Sequence, residues 1–593
     1  MQKLFSFTVI SLFISGIISI DSLSQTVEFK SIHQIELEKY KNYEFPPSKF
    51  KEVLPLRSIQ KDKRLKREIF GYLPYWRLSH YDELNYDLIS TIAYFGVELN
   101  SSGGITYYHS WPTYDLVDLA HQNGVKVVLV GICFNSDQIH SLVTDSSATL
   151  NAINNLLEQV ELGSADGVNI DFELPRSADS SHVTAFMSAL SDTFHAHNPE
   201  YSVTICVTAV NWSNRFQCRQ LARATDGLFI MGYDYHWSGS TNSGAVSPLT
   251  GGTYNVANTV NYYLSETDYD TSKLILGVPY YGYDWPTAGS EPGSQTQGTG
   301  SAKIYSVAEP EANSYGKLWD NSSQTPWYRY SEGSQWHQCW YDDSTSLGLK
   351  YDLVNNKNLK GTGMWALSYD GDRSELWGAI YSHFVLPPPS TPTDFRVISM
   401  GDGNLLIAFS SSDSVTHYLL CKSIDCLVFD TLILNDTLNV ISDLLPNTSY
   451  FFKVKAVNEG GESDLTELLG ARTSMTPASV LVVNGYDSKK TGNTYNFIIQ
   501  HGFSVSRVDR AFSSCSNECI QNDIVRLGDY EAVDWILGQE DTPEGTFNTV
   551  EQSVIIDYLR KGGALFVSGS DIGYTIRDST FYGDYLKAKY LCD

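Results

Sequence analysis

Between residues 68 and 369, eight short apolar runs recur, and helix-like segments separate several of them. The runs are EIFGYLPYW (68–76), ISTIAYFGVEL (89–99), VKVVLVGICF (125–134), GVNIDFE (167–173), SVTICVTAV (202–210), GLFIMGYDY (227–235), LILGVPYYG (274–282) and GTGMWALSY (361–369). Amphipathic stretches lie between them, such as WPTYDLVDLAHQNG (111–124), TLNAINNLLEQVELG (149–163) and SHVTAFMSALSDTFHAHN (181–198). Alternation of strand and helix over this length implies parallel strands joined by helical crossovers. Eight such units predict an α/β fold of one kind, a (β/α)8 TIM barrel. The long interval 283–360, rich in Trp and Tyr, predicts a small α+β insertion beside the end of the barrel where sites gather.

The fourth run departs from the others. In DGVNIDFELP (166–175) the polar residues Asn169, Asp171 and Glu173 alternate with Val168, Ile170 and Phe172. Side chains two apart on a strand share a face, roughly 6.5–7 Å from one another. The polar row therefore climbs one face, and burying it without partners is costly. On a barrel strand it faces the interior, with Glu173 topmost at the C-terminal end, where barrel active sites are built. Val168, Ile170 and Phe172 then point outward to the helices. Asp166 is off this register and reads as a structural partner at the start of the strand, beside Gly167.

The remaining sequence divides around this unit. Residues 1–25 read as a secretory signal peptide, with Lys3 before an apolar run that ends at Ile20, so the chain is expected to be secreted, extracellular or at a cell surface. Residues 26–66 are polar, end in the basic run KDKRLKRE and show no firm period, which suggests a leader or linker to a barrel at 67–386. A Pro-rich linker follows at 387–392, then short alternating strands at 393–475, a β-sandwich pattern. From 478 to 593 buried strands alternate with a helical segment, as in a doubly wound α/β domain, and the pattern stops as if truncated. The net charge of −27 argues against nucleic acid or an anionic membrane surface as partner and is compatible with a neutral polymer. Nine scattered Cys form no zinc-like set. Cys421/Cys426 and Cys515/Cys519 are close enough for local disulfides, with buried free thiols the equal alternative.

DGVNIDFE is similar to the glycoside hydrolase family 18 signature, Asp-Gly-x-Asp-x-Asp-x-Glu. Further elements agree strand by strand: MGYD (231–234) on strand six, GVPYYGYDW (277–285) on strand seven, GTGMWALSYD (361–370) on strand eight and GYLPYW (71–76) on strand one. Two departures stand out. Asn169 replaces the middle Asp of the signature, as in the spore-lytic and chitobiase-like branches, and VVLVGICF lacks the family's Ser-x-Gly-Gly. In the C-terminal part, LLPNTSYFFKVKAVNEGGES (444–463) resembles a fibronectin type III module, with Leu444, Pro446, Thr448 and a tyrosine corner at Tyr450, and with Phe409 at the usual core Trp. Residues 478–593 resemble the glutamine-amidotransferase-like fold, but Ser568, Gly569 and Ser570 stand where catalytic members carry a Cys.

The resemblance implies a retaining hydrolase of β-1,4-linked N-acetylglucosamine polymers, chitin or chitooligosaccharides first. Two carboxylates on one strand cannot flank a sugar from opposite faces, and family 18 is an exception to the two-carboxylate rule, in which the substrate's own N-acetyl group attacks. Glu173 is then the acid and later the base, Asp171 orients the acetamido nitrogen, and Tyr233 bonds its oxygen. Tyr72, Asp234, Trp365 and Trp285 are the substrate-binding candidates, with Trp365 the floor under the cleaved sugar. Asp166, Asn169 and Met231 are structural residues near the site. No metal or cofactor is needed. A peptidoglycan- or N-glycan-directed N-acetylglucosaminidase and a non-catalytic chitin-binding lectin are the alternatives, and lectins of this type usually lack the acid at the Glu173 position.

Overall fold

The computed structural model describes residues 29–46, 65–486, 496–538, 546–570, 572–574 and 576–591. The expected signal peptide and the basic stretch up to Arg64 lie outside the described residues. The chain divides into two compact units, residues 1–61 with 67–383, and residues 62–66 with 384–593.

The first unit is a closed barrel of eight parallel strands. These are β1 (Glu68–Pro74), β2 (Thr91–Leu99), β3 (Lys126–Cys133), β4 (Gly167–Phe172), β5 (Ser202–Thr208), β6 (Gly227–Met231), β7 (Leu274–Pro279) and β8 (Gly361–Trp365). Each pairs in parallel with its sequence neighbours, and β8 pairs β1 to close the ring. Every run expected as a strand forms one, with ends trimmed by a few residues. Closure removes the unpaired edges that an open sheet would carry.

The alternation on β4 is resolved as expected. Phe172 packs against Phe186 of the helix Ser180–His197, with ring centroids 5.4 Å apart. Inside the barrel, Asn169 accepts from the Tyr72 hydroxyl at 2.9 Å and donates to Thr204 at 2.9 Å. Gly167 opens the strand at φ +143°, and a Cβ there would lie 2.0 Å from the Ser202 carbonyl oxygen, so only glycine fits. Asp166 accepts from the Val127 backbone N–H at 2.7 Å and meets His121 at 2.9 Å, a tie across the start of the strand.

Between β7 and β8 a five-stranded antiparallel sheet, from Tyr281 to Trp340, and the helix Tyr305–Tyr315 form the inserted layer. The helix Ser344–Asn356 then returns the chain to β8, starting from a capping box at Asp343 and Ser346. On it, the fully buried Lys350 pairs with Asp342, which also accepts from Ser346 at 2.7 Å.

The second unit holds two sheets that share a core of Phe395, Val397, Leu420, Phe452 and their neighbours. The Tyr450 hydroxyl accepts from the Leu445 N–H at 2.9 Å, five residues upstream. Strands Val480–Asn484, Phe512–Ser516, Ala532–Gly538 and Ala564–Gly569 run parallel. The strand Thr393–Ser399 pairs antiparallel with Phe512–Ser516, so one seven-stranded sheet runs through both parts. Among the described residues the eight cysteines are free thiols, and no helix is long and apolar enough to cross a membrane.

Candidate active site

Four barrel strands and one short helix meet at the C-terminal mouth. β4 brings Asp171 and Glu173, buried beneath the rim, with Glu173 only 3% exposed. Tyr233 and Asp234 follow β6, and Trp365 closes β8. Tyr72 on β1 lies deeper, its hydroxyl against Asn169 and 2.9 Å from Cys206. Tyr72 therefore supports β4 from below through Asn169.

The fifth contributor is the helix α1 (Ile32–Tyr40), inside the stretch expected as a leader or linker. Ser31 caps it, accepting from the Gln34 N–H at 3.1 Å. The ring of His33 is fully buried and stacks on Trp365 at 3.7 Å and 26°. His33 Nδ1 lies 2.7 Å from Asp171 Oδ2 and 3.4 Å from Glu173 Oε1, and Nε2 lies 2.9 Å from the Tyr233 hydroxyl. The Ile32 backbone N–H donates to Asp234 at 2.9 Å. Glu36 accepts from Trp365 Nε1 at 2.8 Å and from the Tyr369 hydroxyl at 2.7 Å.

Burial governs the electrostatics. It pushes the Glu173 carboxyl well above the usual range, and the charge of Asp171 adds to the effect, so Glu173 holds a proton that it can give away. Burial also raises Asp234 to about 6, against the bonds from Tyr281 and Ile32 and the proximity of His33. His33, Asp171 and Glu173 bring ligand-type atoms within 4.8 Å of one another, a set that could hold a cation. The direct His33–Asp171 bond already joins two of them.

Burial also raises Glu36, to about 7 from 4.5, against the bonds from Tyr369 and Trp365 and the charge of Lys39, while Asp234 adds to the rise. Below about 4.5, docked and undocked helix are both protonated at Glu36 and docking is at full strength. Between about 4.5 and 7 the undocked form ionises first, so docking weakens as pH rises. Hydrogen exchange over residues 31–40, corrected for intrinsic rate, should therefore be faster above pH 7 than near pH 4.5. Glu36→Gln should flatten that dependence; an equal pH response in the variant would contradict the assignment.

Beside α1 a cavity of about 340 Å³ stays open. Glu173, Met231, Tyr233 and Asp234 line it, with Trp212, Trp237 and Tyr254. Trp212 and Tyr254 are half exposed and pack edge to face at 4.8 Å. Sequence reasoning passed over these three aromatics, and the signal was there: each sits in a polar loop after β5 or β6, where no core requires it. Trp285 is placed differently from the expectation. It is fully buried in the inserted sheet, donates to the Ser238 carbonyl at 3.2 Å and packs over Gly300, so it does not reach the cavity. Its strand alternates in burial far less than a surface strand does, because both faces of the insertion are covered at that end.

A closed parallel barrel, with a buried carboxylic acid above a second carboxyl at the end of its fourth strand and a buried indole at the end of its eighth, has the makings of a glycoside hydrolase. Residues 68–370, just over half of the chain, match Glycosyl hydrolases family 18, and the chain belongs to that family. Its barrel is a glycosidase domain. Over 243 residues it is 30% identical to a Bacillus subtilis (strain 168) protein named as a sporulation-specific glycosylase, YdhD, covering 40% of this chain and 54% of the relative. It is 29% identical over 315 residues to human di-N-acetylchitobiase, covering 46% of this chain and 77% of the relative. It is 25% identical over 347 residues to chitinase A1 of Niallia circulans, covering 50% of this chain and 49% of that one. The chain thus spans about half the length of the first and third of these relatives.

Proposed function

We propose that the chain is an exported retaining hydrolase of β-1,4-linked N-acetylglucosamine polymers, chitin or chitooligosaccharides, that works by substrate-assisted catalysis. The observation that carries this reading is the grouping of Glu173, Asp171, Tyr233 and Trp365 in one chamber. An N-acetylglucosamine ring on the Trp365 face directs its acetamido N–H to Asp171 and its carbonyl oxygen to the Tyr233 hydroxyl. Glu173 donates its proton to the glycosidic oxygen as that bond breaks. The acetamido oxygen attacks the anomeric carbon from the other face, and the oxazolinium ion forms with Asp171 beside its nitrogen. Glu173, now a carboxylate, takes a proton from water, which opens the oxazolinium ring and retains the configuration. The names of the relatives, a chitobiase and a chitinase among them, agree with this substrate class.

The C-terminal unit fits the role of a spacer and binding platform. The bond between Leu445 N–H and the Tyr450 hydroxyl is the tyrosine-corner contact of sandwich domains and favours a fibronectin type III-like module. Ser568 at the end of its strand, with no Cys on that turn, argues against amidotransfer.

The test compares N-acetylglucosamine oligomers with their de-N-acetylated counterparts, with product anomers followed by NMR, on the intact chain and on His33→Ala. Only the acetylated oligomers should be cleaved, with the β-anomer released first. Cleavage of the free-amine oligomers at a similar rate would exclude the substrate-assisted route. Running peptidoglycan and N-glycans alongside separates the substrate branches.

A further inference from the structure

The geometry points to a latent enzyme: we propose that residues 29–43 are an intramolecular inhibitor, seated where the sugar polymer would lie, with the His33 ring standing in for the N-acetylglucosamine acetamido group. The inference rests on the catalytic reading above.

Three observations carry it. First, the His33 ring covers the indole floor face to face and presents polar atoms to the two groups that would hold the acetamide. Nδ1 lies 2.7 Å from the Asp171 carboxyl and Nε2 lies 2.9 Å from the Tyr233 hydroxyl. With one ring nitrogen donating and the other accepting, an imidazole at these two distances offers the pair that an N-acetyl group offers, on one flat frame. No sugar can reach Trp365 while the ring is there.

Second, the match continues along the groove on both sides. Phe29 meets Trp237 edge to face at 5.1 Å. Tyr40 stacks on Trp76 at 4.9 Å and 17°, and its carbonyl accepts from the Tyr75 hydroxyl at 2.9 Å. Lys41 sits 5.0 Å over the Tyr107 ring. Trp237, Trp76 and Tyr107 are aromatic surfaces of the kind that hold a sugar chain, and here residues of the protein's own segment meet all three.

Third, α1 is held by polar complementarity to the site. The Ile32 N–H, the His33 ring and the Glu36 carboxyl each bond a group of the mouth, and Ser31 lines the same cavity as Glu173. A nine-residue helix is marginal on its own in water. Its order here follows from docking, and docking covers the acid itself.

Tethering makes the competition intramolecular, so substrate must act against a high effective concentration of inhibitor. The apparent affinity for substrate falls by the fraction of molecules with the groove open. A variant that loosens α1 should therefore lower KM and leave kcat at saturation unchanged, whereas general damage to the barrel would lower kcat.

The experiment uses the full chain, His33→Ala and Glu36→Ala. Each is assayed on the N-acetylglucosamine trisaccharide, and hydrogen exchange is followed over residues 31–40 without ligand. Expected are slow exchange in the native chain, faster exchange in both variants, and kcat/KM raised at least tenfold through KM. Equal kcat/KM in all three forms would overturn the proposal, as would exchange at unfolded-chain rates in the native protein. Slow exchange in the native chain, lost in the variants, with no hydrolysis by any form, would sustain the docked segment and refute the glycosidase reading instead.

Discussion

In a chain opened by His33→Ala, Glu173→Gln should lower kcat on N-acetylglucosamine oligomers by roughly 10²–10⁴-fold, the usual contribution of a positioned general acid. Gln is nearly the same shape and still bonds its surroundings, so binding should change little and the loss should fall on kcat and kcat/KM together, as for an interaction made in the transition state. In the docked chain burial and the charge of Asp171 hold a proton on this carboxyl, and Asp171 remains beside it when the groove opens. An amide has no such proton to give. Initial rates with the trisaccharide measure the effect, and a variant as fast as its parent would remove Glu173 from the mechanism.

The second large effect concerns stability. Lys350→Met should destabilise the first unit by roughly 3–5 kcal/mol, the cost of leaving a buried charge without its partner. Lys350 and Asp342 are both buried, and Oδ2 of Asp342 has no hydrogen-bond partner among the described residues. Burial already raises the Asp342 carboxyl, held back chiefly by Lys350. Adding Asp342→Leu should recover most of the loss, because a pair of apolar groups leaves no charge to desolvate. Urea unfolding of the single and double variants measures both, and additive losses would show that the two residues act independently.

Much of the barrel was legible in the sequence because each strand wrote a local signal, an apolar run with turn residues around it. Asp171 and Glu173 stood out as a polar period inside an apolar run, whereas Tyr233 and Trp365 could be singled out only through the resemblance of MGYD and GTGMWALSYD to family 18 strand motifs. α1 was not. Its polar contacts with the site are made by the Ile32 N–H, His33 and Glu36, which fit carboxyls, phenols and an indole, so no apolar face repeats at helical spacing. A helix recognised by a site leaves no periodicity, and only the assembled groove explains it. Trp285 was misplaced for the opposite reason: its neighbours in sequence belong to a site strand, but the chain turns into the inserted sheet before the ring can reach the cavity. The substitution Asn169 also makes sense only in three dimensions. Its amide accepts from Tyr72 and donates to Thr204 at once, and it places no third charge under Asp171.

The seven-stranded sheet of the second unit changes how its parts can be separated. The strand Thr393–Ser399 of the sandwich hydrogen-bonds directly to Phe512–Ser516, and Ser514 bonds both the N–H and the carbonyl of Gly470. Cutting the chain between the two sequence patterns would strip a partner from each strand and leave raw edges that invite other chains. What reads along the sequence as two interchangeable cassettes is, in its hydrogen bonding, one indivisible piece of cloth, and inheritance or engineering must carry it whole.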